Sequence, residues 1–256
     1  LVPIVSGSRS NECLPEGYPI NVRTSGVGEA EEYSDRGLSE EIREVWKWVF
    51  EREAEDFERE ACSALNTKSI GDYLNNPSGF FARHLKTYSA SQRAAPIYWP
   101  LQSGRGSYTL WLYYPTLTDQ SLYSAINDCL EPRLVIAADT LKLLRTKLNR
   151  SAADERELEN QEDLEQELID MRDTILEIAP AYKPNHDDGV QITAAPLWPL
   201  FRHRPWQKVL KETWEKLEAG EYDWAHLAYN YWPDRVREKC KTDKSLAIAH
   251  NLEELY

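Results

Sequence analysis

The stretch APIYWPLQSGRGSYTLWLYYP, residues 95–115, restricts the fold more than any other part of the chain. Ile97, Trp99 and Leu101 alternate with Tyr98 and Pro100, and Tyr108, Leu110, Leu112 and Tyr114 alternate with Thr109, Trp111 and Tyr113. This period of two on either side of QSGRG predicts two strands joined as a hairpin. Both faces are bulky. Such a hairpin must be sandwiched, or must give one face to a partner.

The next constraint is helical. Leu134, Ala137, Leu141, Leu144 and Leu148 recur at steps of three and four, and after the break NRSAAD a second series runs Leu164, Leu168, Met171, Ile175 and Ile178. Two such seams with a short break between them predict an antiparallel coiled-coil hairpin that projects as an arm. Residues 131–150 carry Arg133, Lys142, Arg145, Lys147 and Arg150 against Glu131 and Asp139, whereas 154–177 carries eleven acids against Arg156 and Arg172. The two helices are thus charge complements, which sets register more than it adds stability.

Around these units the pattern predicts an irregular lead-in over 1–37 with a short strand at PINVR, then one amphipathic helix of about seven turns from Ser39, its N-cap, to Leu65. Shorter helices follow over 69–75, 77–87 and 119–130, with Pro132 expected to interrupt or kink the chain. Further on come the loop YKPNHDDGVQI, a helix from Pro205 to Gly220, one around DWAHLAYNYW closed by Pro233, and one capped by Asp243. The expected fold is mainly α with a small antiparallel β-hairpin and a projecting coiled-coil hairpin. It divides into a lead-in (1–37), a helical segment with the aromatic hairpin (38–118), a helix with the arm (119–182) and a Trp-rich helical subdomain (183–256).

Nine tryptophans and a 41 % hydrophobic content imply a packed core, while a net charge of −13 excludes a broadly basic DNA-binding surface. Any nucleic-acid contact has to be local. Cys13, Cys62, Cys129 and Cys240 form no CxxC pair, so reduced thiols are expected, and no apolar run approaches the ~20 residues of a membrane span. These features predict a soluble, cytoplasmic protein. The chain opens on Leu1 and its one methionine is Met171, which points to a longer polypeptide.

No catalytic or metal site is written in the sequence. SGVGE is a lone GxG without a flanking strand and helix, and NNPS has neither the second proline nor the aromatic residue of an amine-methylating loop. NHDDG at 185–189 gathers His186, Asp187 and Asp188, and reads as a solvated turn rather than a metal site. His84, His203, His226 and His250 have no ligand spacing. What stands out is a basic island in an acidic chain: Arg83, His84, Lys86 and Arg93 beside the hairpin, with Arg105 at its tip. With Tyr108 and Trp111 these make a candidate DNA-binding set, combining phosphate contact with stacking. The competing reading places the aromatics in the core and leaves the cations to solubilise its rim. A second basic cluster, Arg202, His203, Arg204 and Lys208, opens the Trp-rich helix, where it points to an acidic partner or a phosphate.

The segment FFARHLKTYSASQRAAPIYWPLQSGRGSYTLWLYYPTLTDQSLYSAINDCLEPRL, together with DDGVQITAAPLWPL, WEKLEAGEYDWAHLAYNYWPDRV and KCKTDKSLAIAHNLEELY, resembles the C-terminal region of the large adenine-specific DNA methyltransferases of phage-exclusion (BREX-type) and related restriction-like defence systems. The likeness spans most of residues 45–256. It implies a downstream, non-catalytic module serving DNA target recognition and complex assembly, behind a Rossmann-like core with an Asn-Pro-Pro-Tyr loop. It also implies S-adenosylmethionine as the cofactor of the parent enzyme with none in this chain, and DNA and other defence-system proteins as partners. Two rival classes remain: an interaction scaffold docking defence components through the coiled-coil arm without DNA contact, and a hydrolase with an unrecognised site.

Overall fold

The computed structural model describes residues 27–29, 38–50, 54–90 and 93–256. The strand expected at PINVR, and Cys13, lie outside these. In chain order the elements begin with β1 (Val27–Glu29), α1 (Leu38–Phe50), α2 (Ala54–Leu65), α3 (Ile70–Asn75) and α4 (Phe80–Thr87). The strands β2 (Ser89–Ala90), β3 (Arg93–Ala94), β4 (Tyr98–Gln102) and β5 (Thr109–Tyr113) follow. Next come α5 (Ser121–Ala125), α6 (Glu131–Thr146) and α7 (Ala152–Ile178), and then α8 (Val190–Ala194), α9 (Arg204–Ala219), α10 (His226–Tyr231), α11 (Pro233–Cys240) and α12 (Lys244–Ala249). The fold is mainly α with a small antiparallel sheet, as the sequence patterns require.

The aromatic hairpin forms as expected, with Tyr98 opposite Tyr113 and Gln102 opposite Thr109. It is sandwiched. Trp99, Leu101, Leu110 and Leu112 are fully buried on one face, and on the other Tyr98 and Trp111 meet Phe80 of α4 at 6.4 and 5.4 Å between ring centroids. The Trp99 indole donates to Pro96 O at 2.7 Å, so burial of that ring leaves no orphan donor. A third strand was not foreseen: β1 pairs antiparallel with β5, with Gly28 opposite Trp111. Val27, Gly28 and Glu29 of SGVGE therefore contribute to a sheet edge rather than to a phosphate loop.

The expected single helix over 39–65 is two helices. Trp46 of α1 packs edge-on against Phe57 of α2 at 5.2 Å, and Arg43 Nε donates to Glu58 Oε2 at 2.6 Å. One straight helix would hold positions 43 and 58 about 22 Å apart along its axis, so the chain folds back between them. Apolar spacing was continuous through this break because each half presents its own stripe to a neighbour. Ser39, expected as the N-cap, sits inside the first turn of α1, which starts at Leu38.

Pro132 does not interrupt the chain. α5 passes through a π-helical turn, Ile126–Leu130, directly into α6. The Glu131 N–H reaches back five residues to Ile126 O, and this wider turn provides the register change that a proline ring demands of the preceding carbonyls. Ser151 starts α7 with a capping box: its hydroxyl accepts from Asp154 N–H and the Asp154 carboxylate accepts from Ser151 N–H. In the resulting arm, Ala137 and Leu141 of α6 and Leu164, Leu168, Met171 and Ile175 of α7 are buried. Arg145–Glu162, Lys147–Asp154, Arg150–Glu155 and Arg172–Glu131 link its two sides. Leu148, read as a seam residue, is 97 % exposed because α6 ends at Thr146.

The last third holds more helix than expected: α8 and a 3-10 stretch, Ala195–Leu200, occupy the Trp-Pro run, and α11 begins at Pro233. Gly220 closes α9 at φ 80°, the left-handed conformation that favours glycine at a helix end. Buried side chains from Trp46 to Ala247 form one contiguous core. Cys62, Cys129 and Cys240 are buried within it. Among the described residues, no helix is long and apolar enough to cross a membrane.

A candidate nucleic-acid interface

The basic island is built on α4, and α4 owes its position to a glycine. A Cβ on Gly79 would stand 2.2 Å from the Tyr73 carbonyl oxygen, so only glycine lets the chain pass α3 closely enough to start α4 there. From that start Phe81 and His84 turn inward, and Arg83 and Lys86 turn to solvent.

His84 leaves the expected DNA-binding set. It is buried, and its Nε2 accepts from both the Ile97 and Tyr98 N–H groups, at 3.0 and 3.1 Å. Only a neutral imidazole has that lone pair, and burial pushes the His84 pKa down to about 4. The ring also stacks on Phe80 at 5.5 Å, so it joins α4 to the start of β4 and is no cation.

Tyr108 and Trp111 leave it too. They are 0 and 3 % exposed, and Trp111 is enclosed between β1, β4 and Phe80. A base cannot stack on rings already covered on both sides. The stacking reading of the hairpin is therefore replaced by the core reading.

Arg105 is exposed at the hairpin turn but is engaged with α7. Its guanidinium pairs with Asp163, and its N–H donates to Glu167 Oε2 at 2.9 Å. Glu167, which sequence reasoning passed over, is the centre of this junction. It is buried and also accepts from the Ser103 hydroxyl at 2.5 Å and the Ser107 hydroxyl at 2.9 Å. Burial by itself would raise its pKa; these donors, together with the Ser107 N–H, outweigh that and hold the carboxyl below its ordinary value. The available signal was an acid at position 167, beside the seam residue Leu168 and facing a Ser-rich turn.

Arg83 and Lys86 remain exposed and make no ion pair with the described residues. Arg93 stands in β3, its backbone opposite Ala90. A group that the sequence kept apart comes alongside: Phe81 meets Phe201 at 6.1 Å and the His203 ring edge-on at 5.5 Å. The start of α9 thereby lies against α4. Of the second basic cluster, Arg202 turns inward, Nε donating to Ser103 O and Nη1 to Pro199 O, each at 2.8 Å. His203 caps α9, its Nδ1 accepting from Trp206 N–H at 3.3 Å, and burial lowers its pKa. Arg204 stays exposed without an ion pair among the described residues, and Lys208 is paired only loosely with Glu212 at 3.8 Å. Arg83, Lys86, Arg204 and Lys208 are thus exposed cations on two helices joined through Phe81, with Arg83 and Lys86, two and five positions beyond Phe81, on the side of α4 turned away from that contact.

Elsewhere the candidates resolve into structure. Asp188 of NHDDG is buried rather than solvated and accepts from the His226 and Leu227 N–H groups, both at 2.9 Å, so that it holds the start of α10. Among the described residues no three His, Cys, Asp or Glu side chains are grouped to hold a metal. No protein-family model matches the chain, and comparison with curated proteins gives no match.

Proposed function

We propose that the chain is the non-catalytic C-terminal module of a site-specific DNA adenine methyltransferase, acting in the cytoplasm in BREX-type phage defence, where it contributes to target recognition and assembly with other defence-system proteins. The contact with DNA runs through the phosphates and is made by Arg83, Lys86, Arg204 and Lys208. The observation that carries this reading is the approach of α4 to the start of α9 through Phe81 and His203. It joins the helices that carry these cations, 118 or more positions apart in sequence, in a chain whose net charge is −13. Exposed cations are the groups that gain from displacing counterions on a duplex.

S-adenosylmethionine belongs to the parent enzyme's core in this reading. Gly28 is mid-strand opposite Trp111, not in a turn between a strand and a helix N-terminus. In this reading methyl transfer is the work of that core.

The test is site binding by the parent enzyme bearing Arg83→Ala, Lys86→Ala and Arg204→Ala together. The reading expects DNA affinity to fall at least tenfold with affinity for S-adenosylmethionine unchanged. Unaltered DNA affinity would remove DNA contact from this module.

A further inference from the structure

We propose that the outer face of α6 binds the same face of a second copy of the chain, the two helices running antiparallel about a two-fold axis. α6 buries Ala137 and Leu141 in the arm, yet its other side carries Val135, Ile136 and Leu143 at 60, 53 and 72 % exposure. With Asp139, Lys142 and Thr146, also exposed, they fall at steps of three and four and make one continuous face. An arm needing only its internal seam has no use for this second apolar stripe.

The charges identify the occupant. Glu131 pairs with Arg172, Arg145 with Glu162, and Arg133 is also engaged. Asp139 and Lys142 are the charged residues of α6 with no ion pair among the described residues, and both lie on the outer face. A two-fold axis between Thr140 and Leu141 sets Asp139 of each copy against Lys142 of the other, and Val135 against Thr146, with Ile136 and Leu143 flanking the central pairs. The face is self-complementary in this register. A parallel alignment would oppose Asp139 to Asp139 and Lys142 to Lys142, which like-charge repulsion disfavours. None of these residues belongs to α4 or α9, so the proposal stands or falls independently of DNA binding.

Sedimentation velocity of the full 256-residue chain, from low micromolar to several hundred micromolar, provides the test. The mass should move from the 29.7 kDa monomer toward twice that value as concentration rises. Asp139→Lys and Lys142→Asp should each weaken association about tenfold, and the double reversal should restore it. Leu143→Glu, at an exposed position, should weaken it as well without altering the charge pair, and circular dichroism should show all four variants as helical as the parent chain. A monomer at every concentration, single reversals that leave association intact, or a double reversal that fails to restore it would each overturn the proposal.

Discussion

Ser103 and Glu167, sixty-four positions apart, are joined by a buried hydrogen bond of 2.5 Å. The same carboxylate accepts from the Arg105 N–H and the Ser107 hydroxyl, so one side chain of the arm holds three donors of the hairpin turn. This fixes the sheet to α7, while Arg202 fixes the same turn to the start of α9 through Ser103 O. The hairpin turn is thus held between α7 and the start of α9 by polar contacts.

Removing that carboxylate leaves donors without an acceptor in a buried site. Glu167→Ala should destabilise the chain by about 2–4 kcal/mol in urea unfolding. Loss of less than about 1 kcal/mol would show that the turn finds other partners.

Acid should erase this advantage. An unfolded glutamate titrates near about 4.3, and Glu167 in the folded chain titrates lower. Its contribution is complete at neutral pH, above the unfolded value, and is lost as pH falls through the folded one. The stability gap between the parent chain and Glu167→Gln should therefore be widest near neutrality and narrow below pH ~4; a gap independent of pH contradicts the assignment.

His84 gives the opposite residue type with the same direction of pH dependence. Its folded pKa, about 4, lies beneath the ordinary value of 6.5, so the unfolded state takes up the proton first and stability falls as pH drops between those values. Proton NMR should show the His84 ring titrating with a midpoint near 4. A midpoint at the ordinary value would mean that the imidazole is exposed and the two N–H groups of Ile97 and Tyr98 are held by something else.

Gly79 is testable by its space alone. Gly79→Ala would press a methyl group onto the Tyr73 carbonyl, where backbone has to move, and should cost about 2–3 kcal/mol while displacing α4. Ala at the exposed Gly104, where a Cβ meets nothing within 4 Å, is the matched control and should change stability little.

The hairpin register and both arm seams were legible because period-two and heptad spacing report directly on which side chains are covered. The break between α1 and α2 was not, since two amphipathic helices folded back on one another preserve the spacing of one long helix. Leu148 kept the heptad count but fell past the end of α6, where periodicity has no meaning. At the candidate site, sequence proximity grouped His84, Tyr108 and Trp111 with the cations, but spacing does not tell whether a polar or aromatic residue faces water. His84 went to the core because two backbone donors of β4 needed an acceptor. The alliance of α4 with α9 rests on Phe81, Phe201 and His203, a tertiary contact that no local pattern announces.

The central claim, that Arg83, Lys86 and Arg204 face DNA phosphates together, is tested most directly by the salt dependence of DNA binding in the parent enzyme. Each lost phosphate contact reduces the slope of log K against log salt by about 0.9. The triple alanine variant should have a slope shallower by about 2–3 than the unaltered enzyme. An identical slope would mean that these cations meet no DNA, and they would lose their assigned role.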